Sequence, residues 1–484
     1  MTLSKMKCFS VLRALLLCGL FVLVSGCSQA IPSPTQPVFT PVISIPTITA
    51  PAPVASSTPT DPPPSIFDPQ KSGELLALGQ TNPEFGALST TMALDPLTGQ
   101  FKALGEGWPV AWSPSGRFML ARHEDFIVYD RRGGQPLEGM LLVDQSEFPL
   151  NQNTFFWLPP GVLPGPDDWL VIQNSADKGL EALAVPSGER RALLPVKSLG
   201  DGIPSFTMKA TTTGWLAWVP VRANLAEIGR SRQTLSAIRV VDPSKAHTWT
   251  ISENIRKEYY TLLDAVPGAS LVLLGAAPAS TAGMDGVALY TFDLESGALK
   301  DLRVKMLPNP DAYAWSPTRP GEMALAVGEG HFTGHNKRLA LLDVQTAELK
   351  YLTGPEMAAF EPDWSQDGKQ LVYAALPDQG STPGLPAIAL KSRAIYLYNL
   401  DTGQSEIVTH PIAFIDGWPR WLKDQKKILF TRYDGQKQTT LYLKDLAGDA
   451  ETSLITLPNA AFLFEGGRCQ SDQCSWDMIL LYTR

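Results

Sequence analysis

The chain has 484 residues, of which 44% are hydrophobic, 18% charged and 9% aromatic. A disordered polymer would contain far fewer apolar residues and a polytopic membrane protein far more, so most of the chain is expected to form a water-soluble globular body. The 40 Lys and Arg residues against 48 Asp and Glu residues give a net charge of −8. This acidic balance argues against nucleic-acid binding, which needs a basic protein face.

The first 26 residues have the pattern of a signal peptide, in which a basic start precedes the apolar run Ala14 to Val24. That run is about half as long as a helix that crosses a bilayer. The residues Leu23 to Cys27 (LVSGC) resemble the lipobox of bacterial lipoproteins. The resemblance implies that residues 1–26 are removed and that Cys27 receives a diacylglycerol thioether. An ordinary secretory cleavage, or a Gly-Cys pair present by chance, are the alternatives.

A proline-rich segment follows the cysteine. Twelve of the 40 residues from Ile31 to Gln70 are Pro, and none is Lys or Arg. Proline fixes φ and removes a backbone donor, so residues 27–71 are predicted to form an extended tether with a reach on the order of 100 Å at ~3.1 Å per residue. The alternative is a disordered N-terminus without a mechanical role. With Cys27 in the bilayer, the body is expected on the extracytoplasmic face of a membrane, either periplasmic or extracellular.

From residue 72 to residue 484 we find no amphipathic helix, and short apolar runs alternate with turn residues, which predicts an all-β body. One turn pattern recurs, in which Asp, Asn or a substitute follows an apolar pair and Gly often closes the turn. It recurs at a spacing typical of propeller blades. The eight copies are centred on Asp95, Asp130, Pro186, Asp242, Asp293, Asp343, Asn399 and Asp445.

A second pattern falls between these turns. A Trp is followed by Ser-Pro-x-Gly or a related turn and then by an apolar strand, as in Ala111 to Arg117 (AWSPSGR). This pattern predicts that the Trp ends the innermost strand of a sheet and that the turn leads to the second strand. Good copies surround Trp112, Trp315 and Trp364, a fair copy surrounds Trp421, and weak ones lie near Trp157, Trp215 and Leu263.

The two patterns together resemble the WD40-like repeats of TolB-type β-propellers, and the resemblance covers most of residues 72–484. It implies a single propeller, for which eight blades are favoured over seven. Because the first hairpin lacks a Trp-Ser-Pro opener and the run Trp476 to Tyr482 lacks a closing hairpin, the N- and C-terminal strands are expected to share one blade. TolB itself carries an N-terminal α/β domain where this chain has its proline-rich segment. Two β-sandwiches and a β-solenoid explain the repeated pattern less well.

Cysteine usage agrees with export. Cys469 and Cys474 remain as an even pair once the signal peptide is removed and Cys27 is lipidated. In an exported chain such a pair predicts a disulfide, here a small loop in the closing blade.

No common catalytic, phosphate-binding or zinc-binding motif is found in the sequence, so no cofactor and no metal are expected. His331 and His335 are four residues apart and could bind a metal, but a solvated loop is the commoner setting for such a pair.

The connections between second and third strands are expected to be long in four blades, at Val221 to Thr234, Ala276 to Gly286, Gly328 to Lys337 and Leu376 to Ser392. These loops should emerge on one face and form a binding surface for a protein or glycan. The sequence therefore favours a non-catalytic binding or scaffold module over the alternatives, a glycan lyase or hydrolase on the same ring or a structural envelope component. Candidate residues of the binding face are Arg230, Arg232, His331, His335, Asp378 and Arg393.

Overall fold

The computed structural model describes residues 75–82, 88–97, 99, 101–122, 126–130, 156–173, 179–194, 205–221, 232–253, 259–277, 286–307, 310–328, 334–378, 380, 392–411, 414–434, 438–458 and 479–482. The chain divides into residues 1–61 and 62–484, and every described residue belongs to the second unit. The predicted signal peptide, lipidated Cys27, the tether and the Cys469–Cys474 disulfide therefore lie outside the described residues. Within the described ranges, no helix is long and apolar enough to cross a membrane.

The described strands form antiparallel sheets that follow the order of the chain. Sheet 1 contains β1 (Leu75–Asn82), β2 (Leu88–Leu94), β3 (Phe101–Glu106) and the final β31 (Ile479–Tyr482), and sheet 2 contains β4 (Trp108–Trp112), β5 (Phe118–Arg122) and β6 (Phe126–Asp130). Sheet 3 contains β7 (Phe156–Trp157), β8 (Asp168–Gln173), β9 (Leu180–Val185) and β10 (Arg190–Leu194). Sheet 4 contains β11 (Ser205–Ala210), β12 (Trp215–Val221), β13 (Gln233–Arg239) and β14 (Asp242–Ser252).

Sheets 5 and 6 are joined by a single residue pair, Met306 with Val327, and we treat them as two units. A 3-10 turn, Pro310–Ala312, lies between them. Sheet 5 contains β15 (Tyr259–Ala265), β16 (Leu271–Ala277), β17 (Val287–Asp293) and β18 (Leu299–Met306), and sheet 6 contains β19 (Tyr313–Trp315), β20 (Glu322–Val327), β21 (Arg338–Asp343) and β22 (Glu348–Tyr351). Sheet 7 contains β23 (Met357–Trp364), β24 (Gln370–Pro377), β25 (Ala394–Asn399) and β26 (Gln404–Ile407). Sheet 8 contains β27 (Ile415–Trp421), β28 (Lys427–Tyr433), β29 (Gln438–Asp445) and β30 (Glu451–Pro458).

The two ends of the described chain meet in sheet 1. The last strand, β31, pairs with β1 in the register Leu75 opposite Tyr482 and Leu78 opposite Ile479. The expectation that N- and C-terminal strands share a blade is therefore confirmed. This closure leaves only short sheet edges, as in a β-propeller. Since sheet 2 has three described strands, the count of eight blades stays a prediction.

The hydrophobic core lies between neighbouring sheets. Each consecutive pair of sheets, including sheets 8 and 1, shares a cluster of buried side chains. In β24, for example, Leu371 and Tyr373 pack towards sheet 6, whereas Val372 and Ala374 pack towards sheet 8. A strand that is buried on both faces needs apolar residues at successive positions. This packing explains the continuous apolar runs in the sequence.

The turns have the predicted chemistry. Asp293 Oδ1 accepts a hydrogen bond from the Glu295 amide at 2.8 Å, and Gly297 occupies the left-handed region with φ 74°. In sheet 6 Ala347 takes the glycine position with φ 67°. Trp112, Trp315, Trp364 and Trp421 end their first strands as predicted, whereas Trp215 opens the second strand of sheet 4.

Candidate functional site

Four innermost strands carry a charged side chain at one equivalent position. After the first strand, one amide donates a hydrogen bond to a carbonyl at the start of the second strand, as the Ser365 amide does to the Gln370 carbonyl. The equivalent position lies two residues before the residue that provides this amide. In sheets 2, 3 and 6 the position is occupied by Ala111, Phe156 and Ala314. In sheets 4, 5, 7 and 8 the position carries Lys209, Asp264, Asp363 and Arg420. Because first strands of a propeller face its axis, these residues surround the central channel.

Four of the inner strands, β4, β15, β23 and β27, are bulged, and only the bulges in β23 and β27 contain a non-glycine residue with positive φ. The register of β23 shifts between Phe360 and Asp363, and that of β27 between Gly417 and Arg420. Within the bulges Glu361 and Trp418 have φ values of 54° and 50°. Non-glycine residues in this region cost about 1–3 kcal/mol each and are concentrated at functional sites. The bulges therefore point to this part of the axis as a candidate functional site.

Glu361 joins sheets 7 and 8. Its Oε2 atom accepts hydrogen bonds from the Arg393 guanidinium and, at 2.6 Å, from the Trp418 amide. The Arg393 side chain is 4% exposed and that of Glu361 is 16% exposed. Burial alone would raise the pKa of Glu361, but the Arg393 charge and the Trp418 amide bring it below its ordinary value. Both charges therefore depend on this contact.

Asp311 brings sheet 6 into the same cluster. Its carboxylate accepts hydrogen bonds from the Arg420 guanidinium and from the Trp418 side chain. The guanidinium carbon of Arg420 also lies 4.7 Å from the centre of the Trp418 ring. Burial, opposed by Arg420 and assisted by the charge of Glu361, raises the pKa of Asp311. Even so, 40% of the Asp311 side chain is exposed, so solvent reaches this carboxylate.

Asp363 is the third carboxylic acid of the cluster. Its Oδ2 atom accepts a hydrogen bond from the Trp421 amide at 2.7 Å. Burial raises the pKa of Asp363 to about 6, although Arg420 and the backbone donors act in the opposite direction. We refer to Asp311, Glu361, Asp363, Arg393, Trp418 and Arg420 as the axial cluster.

A second charged contact continues around the ring. Asp264 lies 3.5 Å from Lys209 Nζ and accepts hydrogen bonds from the Trp315 indole at 2.9 Å and the Tyr313 hydroxyl at 3.2 Å. Burial and the nearby Asp264 charge raise the pKa of Tyr313, which keeps its proton. Polar side chains of five consecutive sheets, 4 to 8, therefore form the inner wall.

We predict that Asp363→Asn changes the pH dependence of stability. Because the folded pKa of about 6 lies above the ordinary value of 3.8, Asp363 favours folding below pH 3.8, and this contribution is lost as the pH rises through 6. Asn keeps an acceptor for the Trp421 amide and has no charge to bury. Relative to the wild type, the variant should gain stability between pH 4 and pH 7. Urea unfolding at several pH values measures this, and parallel curves for the two proteins would contradict it.

The structure places the predicted binding residues in different surroundings. His335 Nδ1 lies 2.7 Å from Asp378 Oδ1, and Asp378 Oδ2 accepts a hydrogen bond from the Asn336 amide at 2.8 Å. This contact joins the second-to-third-strand connections of sheets 6 and 7. Burial would raise the pKa of Asp378, but His335 and backbone amides lower it. Arg230 and His331 lie outside the described residues.

The remaining two predicted residues are separated from this pair. Arg232 forms an ion pair with Glu253 at 2.9 Å, in which both side chains are about 70% exposed, at 69% and 70%. Arg393 is buried in the axial cluster, at 3% exposure, and does not lie on an exposed loop. A binding role for the six residues stays a prediction.

Sequence reasoning missed most of the axial cluster, although one signal was present. Asp363 and Arg420 directly precede Trp residues, where Ala111 and Ala314 precede the Trp of other copies. A charge where those copies have Ala could have indicated an inward-facing polar group. No group of three or more His, Cys, Asp or Glu side chains in the described part of the chain is arranged to hold a metal ion.

Comparison with known proteins concerns the fold. No protein-family model and no curated protein matches the sequence. Among solved structures, Porphyromonas gingivalis dipeptidyl peptidase 4 is 13% identical with a TM-score of 0.50, and the match covers 79% of this chain and 59% of the peptidase. This chain therefore spans less than two thirds of the peptidase.

Two further matches have lower TM-scores. A putative TolB from Agrobacterium tumefaciens is 12% identical with a TM-score of 0.35, covering 85% of this chain and 98% of that one. TolB from Acinetobacter baumannii is 16% identical with a TM-score of 0.30, covering 62% and 67%. The closed ring of antiparallel sheets and the match at a TM-score of 0.50 agree with a single β-propeller fold.

Proposed function

We propose that the chain is a lipid-anchored, extracytoplasmic β-propeller that binds a protein or glycan partner along its axis, without catalysis. The observation that carries this proposal is the axial cluster, a set of paired and mostly buried charges from sheets 6 to 8, of which Glu361, Asp363 and Arg420 lie on inner strands. Burying charges is costly unless they are paired, and a core needs none. A polar inner wall is therefore best explained by a ligand that contacts it.

The pairing of the acids supports binding rather than catalysis. Glu361 and Asp311 are each engaged by an arginine, and Asp363 accepts the Trp421 amide. A general acid or base needs an oxygen that can approach the substrate and exchange a proton. Fixed ion pairs instead provide a preorganised array of donors and acceptors.

The membrane anchor is supported by the sequence pattern. The apolar run, the small residues and Cys27 occur in the order of a lipoprotein signal. A single tether point and a proline-rich spacer would hold the propeller away from the bilayer while its axis remains open to a partner.

An enzyme acting on extracellular glycans is the second candidate, and Asp363 is the observation that favours it. A carboxyl group with a pKa of about 6 is partly protonated near neutral pH and could donate a proton. If this were its role, Asp363→Asn would abolish turnover of a glycan substrate while leaving its binding intact.

The proposal is tested by capture of partners from the native envelope. The full chain, extracted in mild detergent, should co-purify with bound material, and Asp311→Asn combined with Arg420→Gln should release it. Asp242→Asn, at the exposed first residue of β14, is the matched control and should retain the material. Equal recovery with both variants would contradict binding at the axis.

A further inference from the structure

We infer that the axial cluster takes a neutral oligosaccharide. This inference rests on the proposed function and names the class of ligand. Three features of the inner wall carry it: the balance of its charges, the occupied backbone edge of sheet 8, and the mixture of side-chain donors, acceptors and aromatic rings.

The charges of the inner wall nearly cancel. Its four carboxylates face three cations, and each carboxylate has a partner. Asp311 is bound by Arg420, Glu361 by Arg393, and Asp264 lies beside Lys209, while Asp363 accepts a backbone amide and lies in the field of Arg420. A strongly charged ligand would have to displace an existing partner. A neutral ligand avoids that cost.

The backbone edge of β27 is occupied. The Trp418 and Trp421 amides lie at or beside the bulge, and they donate to Glu361 and Asp363 of the neighbouring sheet. An extended peptide that adds to a sheet needs such amides for main-chain hydrogen bonds. Because side-chain carboxylates already hold them, peptide addition at this part of the axis is disfavoured, and recognition falls to side chains.

The side chains suit hydroxyl groups. A hydroxyl donates one hydrogen bond and accepts others, so it can join a carboxylate to a guanidinium. Asp311 and Arg420 present this pair with the solvent-accessible carboxylate at 40% exposure. Trp418 and Tyr313 are partly exposed beside Asp311 and Asp264, respectively. Aromatic rings with a few fixed polar groups are the usual composition of small-ligand sites, and aromatic faces pack against the apolar faces of sugar rings.

The experiment uses the full chain in a detergent without sugar groups and calorimetric titration. The probes are a neutral N-acetylglucosamine tetramer, a neutral glucose tetramer, a galacturonate tetramer, a lysine tetrapeptide and an alanine tetrapeptide. At least one neutral tetramer should bind. Asp311→Asn should weaken it about tenfold, since hydrogen bonds to charged groups contribute roughly that much. Asp242→Asn is the control and should bind as the wild type does.

The outcomes separate the ligand class from the site. Binding of the galacturonate or a peptide probe alone, with sensitivity to Asp311→Asn, would overturn the neutral class and leave the proposed function standing. Binding of a neutral tetramer that Asp311→Asn does not weaken would overturn the axial location. If none of the five probes binds at millimolar concentration, the inference itself is overturned. If Asp311→Asn does not fold, Trp418→Leu, which removes the partly exposed ring of the axial cluster, replaces it with the same expected loss.

Discussion

Glu361→Gln is expected to lower the free energy of unfolding by about 3–5 kcal/mol, the usual cost of breaking a buried ion pair. The substitution keeps the shape of the side chain but leaves the guanidinium of Arg393 without its carboxylate in a site where that side chain is 4% exposed. It also weakens the acceptor for the Trp418 amide, which holds the β27 bulge against sheet 7. Urea unfolding at neutral pH measures the loss.

The matched control is Glu348→Gln, an exposed residue of β22, for which a change within about 0.5 kcal/mol is expected. The pH dependence gives a second check. Because the folded pKa of Glu361 is below its ordinary value of 4.5, the carboxylate stabilises the fold above pH 4.5 and loses this effect as the pH falls through the folded value. The two proteins should therefore become more alike in acid. Equal losses of unfolding free energy in Glu361→Gln and Glu348→Gln would show that the ion pair between Glu361 and Arg393 does not stabilise the fold.

The fold could be predicted from the sequence because its signals are local. A turn that needs Asp at one position and Gly a few residues later is encoded within one hairpin, as at Asp293 and Gly297. The long connections Gly328 to Lys337 and Leu376 to Ser392 do join second and third strands, as predicted. Each of these features depends on a short segment and repeats, so eight weak signals reinforce one another.

The axial cluster could not be predicted in this way because its contacts cross between sheets. Arg420 and Asp311 are 109 residues apart, and Trp418 and Glu361 are 57 apart. The register that joins them depends on two bulges, and neither bulge contains a glycine at its left-handed residue. The residues around Glu361 give no local sign that it leaves the ordinary strand geometry.

Arg393 also makes a contact between distant segments that its local sequence does not indicate. The sequence places it on an exposed binding face because it follows a long connection. It is the residue directly before β25, however, and its side chain turns inward to Glu361. Loop length predicts where a connection emerges, whereas the direction of its last side chain depends on the neighbouring inner strand. The same residue therefore links the long connection of sheet 7 to the axis.

Leu94→Ala tests whether the ring is closed by packing between sheets 1 and 8. Leu94 is fully buried and contacts a cluster formed by Leu422, Leu429 and other residues of sheet 8. Truncation should cost about 2–5 kcal/mol, because the removed atoms leave a cavity between rigid sheets. Leu97→Ala, three residues away in the same turn and 48% exposed, should change stability by less than about 0.5 kcal/mol. Urea unfolding measures both. If Leu94→Ala were as mild as Leu97→Ala, the two sheets would not be packed together, and an axis shared by all the inner strands would lose its physical basis.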